Sequence, residues 1–395
     1  YLTPRPIAEA LLDRLPLEPG MRVLDPGVGT GELLRAALDR EPGIEAVGWD
    51  ADPAVLAAAR RLVPEARLEH RSALDPAADG EGDERYGLVI GNPPYFQVRL
   101  DRAGRKRFAG VVSGRANVFA LFFQVGLERL RAGGRLGFIV PPSMNTGAYF
   151  EALREHIAGR AEILDLTILD GSDRFEGANT AAQLLVLEAR PDPAPRPGRG
   201  EFTFRHAVPA AGFERVIFSP DPGRLAAEFR GRRTLWERGL TAVTGSVVWN
   251  QHRRRLRRRP GPGTVPLVWS RNLRGGELEL DGAGGGPGKP QHLALEEGRA
   301  PRPLTGPAIL VNRVVGTVGR GELRTALVPA GTEFLAENHV NVIRAREGVD
   351  PAGIEWAAIE RSLARPEVAD RVRRLTGNTQ VSARELTHLL PLDPP

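Results

Sequence analysis

Val23-Leu24-Asp25-Pro26-Gly27-Val28-Gly29-Thr30-Gly31-Glu32-Leu33-Leu34 reads as a strand ending on a carboxylate, a glycine-rich turn, and a helix opening near Gly31. Glycines at alternate positions permit φ > 0 and let a ligand approach the backbone closely. The Gly27-x-Gly29-x-Gly31 spacing lacks the tail of a dinucleotide fingerprint, and no P-loop Lys-Ser or Lys-Thr pair follows. A cofactor without phosphate is therefore favoured over a phosphate ligand. About 20 residues on, Ala46-Val47-Gly48-Trp49-Asp50 reads as a second strand ending in an acid, a place suited to ribose hydroxyls.

Further along, the apolar run Tyr86-Gly87-Leu88-Val89-Ile90-Gly91 ends in Asn92-Pro93-Pro94-Tyr95. Two prolines fix φ and remove backbone donors, so this turn offers an amide oxygen and carbonyls as acceptors, with a phenol ring beside them. Such a corner suits a planar NH2 group held edge-on and a flat substrate stacked on the ring. Glycine-rich turn, strand-end acid and Asn-Pro-Pro-Tyr, in that order, are far more specific together than any one alone.

With those motifs in hand, the chain resembles the class I S-adenosylmethionine-dependent methyltransferases, and among them the N6-adenine DNA methyltransferases of the gamma motif order. The resemblance covers residues 1–190 well. It rests on Thr3-Pro4-Arg5-Pro6-Ile7-Ala8 as the opening cofactor segment, Asp25 through Gly31, Asp50, Asn92 to Tyr95, Asn117-Val118-Phe119 and Gly133 through Pro141. It implies S-adenosylmethionine as cofactor, bound by Thr3, Asp25, Pro26, Gly27, Gly29, Gly31, Asp50, Ala51, Ser72, Ala73 and Asn92. It implies catalysis by Asn92, Pro93, Pro94 and Tyr95, with Phe175 as a second aromatic against a flipped base. Ser72 stands where the family often has an Asp, and Asp75 or a backbone carbonyl is the alternative partner for the cofactor's adenine.

The first half alternates short apolar runs with amphipathic segments, which predicts a doubly wound, seven-stranded Rossmann-like α/β sheet. Strands are expected at 22–25, 46–50, 66–70, 87–91, 135–140, 162–168 and 181–187, and helices at 5–14, 31–40, 53–62, 117–131 and 147–158. Residues 1–190 form the expected catalytic domain. Residues 191–200, rich in Pro, Gly and Arg, read as a stiff linker, and 201–395 as a mixed α+β target-recognition domain. There, strand-like runs fall at 246–249, 265–269, 308–315 and 339–343, with helices at 351–364 and 366–375 and a glycine-rich loop at 282–290.

Charge separates the halves. Residues 1–195 carry 23 Lys and Arg against 28 Asp and Glu, a balance of −5; residues 196–395 carry 31 against 21, a balance of +10. A basic second half points to a polyanion, here double-stranded DNA. Candidate contacts are Trp249, Asn250, Arg253, Arg254, Arg255, Arg257 and Arg258, then Asn272 and Arg313, with Asn312, Asn338, His339 and Asn341 as further loop polar groups.

No cysteine is present, which excludes disulfides, thiolate metal sites and Cys nucleophiles. The scattered histidines give no metal pattern, and no apolar run approaches the length of a membrane span. The chain opens on Tyr1 rather than Met, so a few preceding residues are expected, and no signal peptide is visible. A cytoplasmic monomer is expected. Any cognate restriction nuclease would sit on a separate chain, since neither Lys106 nor Lys289 closely follows an acid as a metal-dependent nuclease motif requires. Competing readings are a methyltransferase acting on RNA or on a protein glutamine amide, and a non-catalytic DNA-binding specificity protein.

Overall fold

The computed structural model describes residues 3–75, 85–169, 182–191, 201–208, 213–280, 289–296, 298, 301–313, 322–376 and 381–393. The chain divides into two compact units: Tyr1–Ala207 with Glu214–Leu225, and Val208–Phe213 with Ala226–Pro395.

In the first unit, α1 (Arg5–Leu12) buries Ile7, Ala8, Leu11 and Leu12 at helical spacing. It leads to β1 (Arg22–Asp25), α2 (Glu32–Arg40), β2 (Glu45–Asp50) and α3 (Pro53–Leu62). Asp52 caps α3, its carboxylate accepting from the Ala54 N–H at 2.8 Å, and Pro53 occupies the first turn, where its missing donor costs nothing. Then come β3 (Arg67–His70), β4 (Tyr86–Gly91), β5 (Gln97–Val98), α4 (Arg102–Arg107) and β6 (Ala116–Asn117). The unit continues with α5 (Val118–Arg129), β7 (Leu130–Val140), α6 (Glu151–Arg160), β8 (Ala161–Leu169) and β9 (Ala182–Ala189).

Seven strands form one sheet in the order β3-β2-β1-β4-β7-β9-β8. Pairings from β3 to β7 are parallel, while β9 runs antiparallel to both β7 and β8. One face packs on α1 and α2 through Leu11, Leu34, Leu88 and Ile139; the other packs on α5 through Phe119, Phe123, Leu136 and Phe138. All seven expected strands are found, most within two residues; β7 starts five residues before its expected position. The Leu-Phe-rich stretch from 118 is more than a stripe: Val118 through Leu127 are buried all round. The helix expected at 147–158 starts at Glu151, because 3-10 turns at Pro142–Asn145 and Ala148–Phe150 precede it.

The expected boundary at 191–200 lies too early. β10 (Thr203–Val208) and β11 (Phe213–Phe218) pair with each other, and Val216 and Phe218 enter the first unit's core. The wholly buried Arg154 of α6 donates to the Val216 carbonyl at 2.6 Å, which ties the hairpin to the first unit. Most of the 191–200 segment lies outside the described residues.

After α7 (Pro222–Phe229), the second unit is mixed α+β. Its strands are β12 (Leu240–Thr244), β13 (Leu256–Arg257), β14 (Thr264–Val268), β15 (Leu273–Arg274), β16 (Glu277–Leu278), β17 (His292–Ala294) and β18 (Leu304–Thr305). They continue with β19 (Ala308–Asn312), β20 (Thr325–Val328), β21 (Glu333–Ala336) and β22 (Val340–Ala345), followed by α8 (Trp356–Leu363), α9 (Pro366–Thr376) and α10 (Ala383–His388). A four-stranded antiparallel sheet runs β12-β22-β19-β20, and a five-stranded one runs β13-β17-β14-β21-β18. The strand expected at 246–249 is absent: Val247 makes a single bridge to Glu337, and Trp249–Gln251 curl into a 3-10 turn. Gly245 is pressed so tightly there that a Cβ would lie 2.2 Å from the Glu337 carbonyl oxygen.

Candidate functional site

β1, β2 and β4 are parallel neighbours, so their carboxyl ends bring Asp25, Asp50 and Asn92 to one edge, where ligands of such sheets bind. A Cβ on Gly91, at the end of β4, would lie 3.6 Å from Asp25 Oδ1, which measures how closely the two motifs approach. Between them the turn is built from glycines in the left-handed region, Gly29 at φ 55° and Gly31 at φ 98°. Nothing lies within 4 Å of a Cβ built on Gly29, so the backbone there faces open space. The Gly29 N–H donates to Asp50 Oδ2 at 3.0 Å, and the Asp52 N–H donates to Asp50 Oδ1 at 2.9 Å. Each Asp50 oxygen therefore keeps a lone pair for a hydroxyl.

Asp25 is buried, and the Gly27 N–H donates to it at 3.0 Å. Burial pushes its carboxyl up to about 7, the Gly27 bond opposes this, and Asp50 and Glu32 add repulsion. A buried acid with so little compensation suits a cationic group beside it. Two carboxylates and an open glycine backbone fit a cofactor that carries positive charge and ribose hydroxyls. Ser72 closes the turn after β3, its hydroxyl accepting from the Leu74 N–H at 3.2 Å, while Ala73 is buried in the core. Ala51 keeps its carbonyl 3.1 Å from His70 Nε2.

At the tetrapeptide, Asn92 Nδ2 donates to the Thr3 hydroxyl at 3.2 Å, so the chain's first segment is pinned to the end of β4. Thr3 is itself buried. The Tyr95 hydroxyl lies 3.0 Å from both Asn92 Oδ1 and the Ile139 carbonyl. Burial raises the pKa of that hydroxyl, so the phenol stays protonated. The Tyr95 ring meets Phe119 edge-on at 6.1 Å, yet the residue is 37% exposed. Phe175 lies outside the described residues.

Phe96 is 58% exposed beside Tyr95, its carbonyl fixed by the Val118 N–H at 3.0 Å. The buried amides of Asn145 and Gln183 pair reciprocally at 2.7 and 2.8 Å beyond the end of β7. Sequence reasoning missed both features. An exposed Phe after Tyr95 was visible as a residue type, whereas the amide pair, 38 positions apart, had no local signal.

In the second unit, Trp249, Asn250, Arg253, Arg254, Arg257 and Arg258 are exposed, and the Arg253 guanidinium lies 4.9 Å over the Trp249 ring. Arg255 is drawn inward instead, 12% exposed and donating to the Ala294 carbonyl at 2.9 Å. The expectation for Asn272 needs correcting: it is buried, accepts from the Trp269 N–H at 2.8 Å and donates to the Glu279 carbonyl at 2.7 Å. Its amide braces a turn and has nothing left for a base. Asn312 and Asn341 are spent likewise, on backbone groups of Glu322, Arg324 and Val381 and on the Thr244 hydroxyl. Arg313, half-buried, donates to the Asn338 carbonyl at 3.3 Å.

Strand order, glycine-rich turn and Asn-Pro-Pro-Tyr corner are those that the resemblance to the class I S-adenosylmethionine-dependent methyltransferases implies. Within that class, residues 58–175 match the model of the Eco57I restriction-modification methylase family. The chain is 26% identical over 214 residues to the modification methylase CviBIII of Paramecium bursaria Chlorella virus NC1A, which covers 53% of this chain and 52% of that protein. It is 26% identical over 315 residues to the type II methyltransferase M.TthHB8I of Thermus thermophilus, 70% of this chain and 66% of that one. Over 105 residues it is 37% identical to the release factor glutamine methyltransferase of Caulobacter vibrioides, 25% of this chain and 36% of that protein. The chain thus spans between about a third and two thirds of the length of these relatives. Among the described residues no helix is long and apolar enough to cross a membrane, and no group of His, Asp or Glu could hold a metal ion.

Proposed function

We propose that the chain transfers the methyl group of S-adenosylmethionine to the exocyclic N6 of an adenine flipped out of a specific duplex DNA sequence, in restriction-modification or a related role. The observation that carries this is the pair of acceptors shared by the single Tyr95 hydroxyl proton. That proton can serve Asn92 Oδ1 or the Ile139 carbonyl, but not both. When Ile139 takes it, Asn92 Oδ1 is free to accept from an amine, with the Pro93 carbonyl as the expected second acceptor. Two acceptors on the amine hydrogens favour a tetrahedral nitrogen whose lone pair is available for attack. The cofactor supplies a methyl carbon on a positively charged sulfur, itself a good leaving group. The chain's own part is therefore positioning and fixed dipoles.

A duplex base cannot reach this corner without leaving the stack, at a cost of a few kcal/mol. The exposed Tyr95 ring offsets roughly 1–3 kcal/mol of that by stacking. The basic second half and the exposed Trp249–Arg253 pair support DNA as the polyanion, since DNA-binding surfaces combine arginine with sequence-reading loops. Any cognate nuclease would be a separate chain.

Incubation with methyl-labelled cofactor and duplex DNA, followed by digestion to nucleosides, should yield labelled N6-methyl-deoxyadenosine. The similarity to a glutamine methyltransferase supports a second reading, in which label enters a protein amide. Label in protein or RNA alone would replace the DNA reading. In the same assay Asn92→Ala should lose turnover while still binding cofactor; retained turnover would reject its assigned role.

A further inference from the structure

Asn272, Asn312 and Asn341 are buried and spent inside the second unit, whereas His339 is exposed. It stands on the turn between β21 and β22 with its side chain 52% exposed, while the carboxylate holding it, Glu337, is only 2% exposed. His339 Nδ1 lies 2.9 and 3.0 Å from the two Glu337 oxygens, and Oε2 also accepts from the His339 backbone N–H at 2.9 Å. A carboxylate has no proton to give, so Nδ1 carries the hydrogen and the tautomer is set. In the neutral ring, Nε2 is then an acceptor on a side chain that is half exposed.

The turn that carries this imidazole is held on three sides. The Glu337 N–H donates to Val268 at 2.9 Å, the Asn338 N–H to Val247 at 3.0 Å, and the Arg313 N–H to the His339 carbonyl at 2.8 Å. Val247 leads within two residues to the exposed Trp249 with Arg253 over its ring. The turn carrying the imidazole is thus bonded to the segment that leads into the aromatic and its cation. Burying a carboxylate costs free energy unless hydrogen bonds compensate, and here part of that compensation is spent on aiming an exposed ring.

We propose that His339 reads a base edge, its Nε2 accepting from an exocyclic amine presented in the major groove (N6 of adenine or N4 of cytosine), and that Glu337 is the positioning residue that sets its polarity. The inference rests on duplex DNA being the substrate.

The test is methylation of a randomised duplex library by the full chain, with sequencing of the methylated molecules to give the preference at each position. His339→Ala should relax one base pair, reducing discrimination there roughly five- to hundred-fold, with the other positions and cofactor affinity unchanged. Glu337→Gln should act differently. Its amide can donate to Nδ1, which moves the ring proton to Nε2 and turns the acceptor into a donor. The preference at that same position should then shift toward guanine, whose major-groove edge offers acceptors. Unaltered preferences in His339→Ala, or weakening spread evenly over all sequences, would overturn the proposal. So would a Glu337→Gln profile identical to wild type. A wild-type chain that methylates no DNA at all would instead remove the substrate reading beneath it. His339 is exposed, so His339→Ala and His339→Gln test the reader even where Glu337→Gln fails to fold.

Discussion

Asp25 couples the cofactor edge to pH. Its carboxyl, pushed up to about 7 chiefly by burial, ionises less readily in the fold than in the open chain, where the ordinary value is 3.8. The folded state therefore carries no penalty below about pH 4 and the full penalty above about pH 7, so stability falls as pH rises through that window. Asp25→Asn keeps an acceptor for the Gly27 N–H and should raise unfolding stability at pH 8 by about 1–3 kcal/mol, with no gain at pH 4. Thermal melts at the two pH values check this, and a destabilised variant at pH 8 would refute it. A cationic cofactor group favours the ionised form, so cofactor affinity should rise from pH 6 to pH 8 in wild type and lose that slope in Asp25→Asn. At the tetrapeptide, Tyr95→Phe keeps the ring and loses both hydroxyl bonds, whereas Tyr95→Ala loses the stacking surface too. Turnover of Tyr95→Phe should stay within about ten-fold of wild type, and Tyr95→Ala should fall roughly 10–100-fold further. Equal rates for the two variants would deny the ring its role. That Asp25, Asp50 and Asn92 end neighbouring strands was legible beforehand, because residue types and chain order mark them. The contact of Thr3 with Asn92 was not, since it joins residues 89 apart.

At the scale of elements, legibility follows how local the determining interactions are. β1, β2 and β4 are short apolar runs stopped by glycine or a carboxylate, so period and punctuation suffice to find them. α3 is announced by its Asp52 cap and Pro53. The segment after β7 is different. Pro141 and Pro142 suggest only an interruption, and what shapes it is the Asn145–Gln183 amide pair, whose second member sits on β9. Gln183→Leu should strand the buried Asn145 amide and cost about 1–3 kcal/mol in a urea titration. Adding Asn145→Leu should recover part of that loss, because two apolar partners leave no orphan. A double variant as unstable as the sum of the singles would show that the pair is not coupled. In the second unit the helices expected at 351–364 and 366–375 are found as α8, which starts only at Trp356, and α9, whereas the strand expected at 246–249 was not realised. Val247 and Val248 invite a strand, but the close approach of Gly245 to the Glu337 carbonyl diverts the chain into a turn.

Across the whole molecule, the −5 and +10 halves turn a compositional asymmetry into a statement about salt. The arginine run at 253–259 looked uniform in sequence, but the fold sorts it. Arg253, Arg254, Arg257, Arg258 and Arg259 are exposed, while Arg255 is held against the Ala294 carbonyl and close to Glu296. Each arginine that neutralises a phosphate releases about one counterion, so log K falls with log salt by about 0.9 per contact. Replacing the five exposed arginines together with Ser should flatten the slope of duplex binding by up to about 4, with cofactor binding unaffected. Arg255→Ser should behave oppositely, leaving the slope nearly unchanged and lowering thermal stability through the lost brace on Ala294. Fluorescence anisotropy with labelled duplex from 50 to about 300 mM salt separates the two effects, since that range spans the steep part of counterion release. A slope unaltered by the five substitutions would move the phosphate contacts to another face of the chain. A slope flattened by Arg255→Ser alone would mean that the inward guanidinium swings out to meet DNA, and that its bond to Ala294 belongs only to the free state.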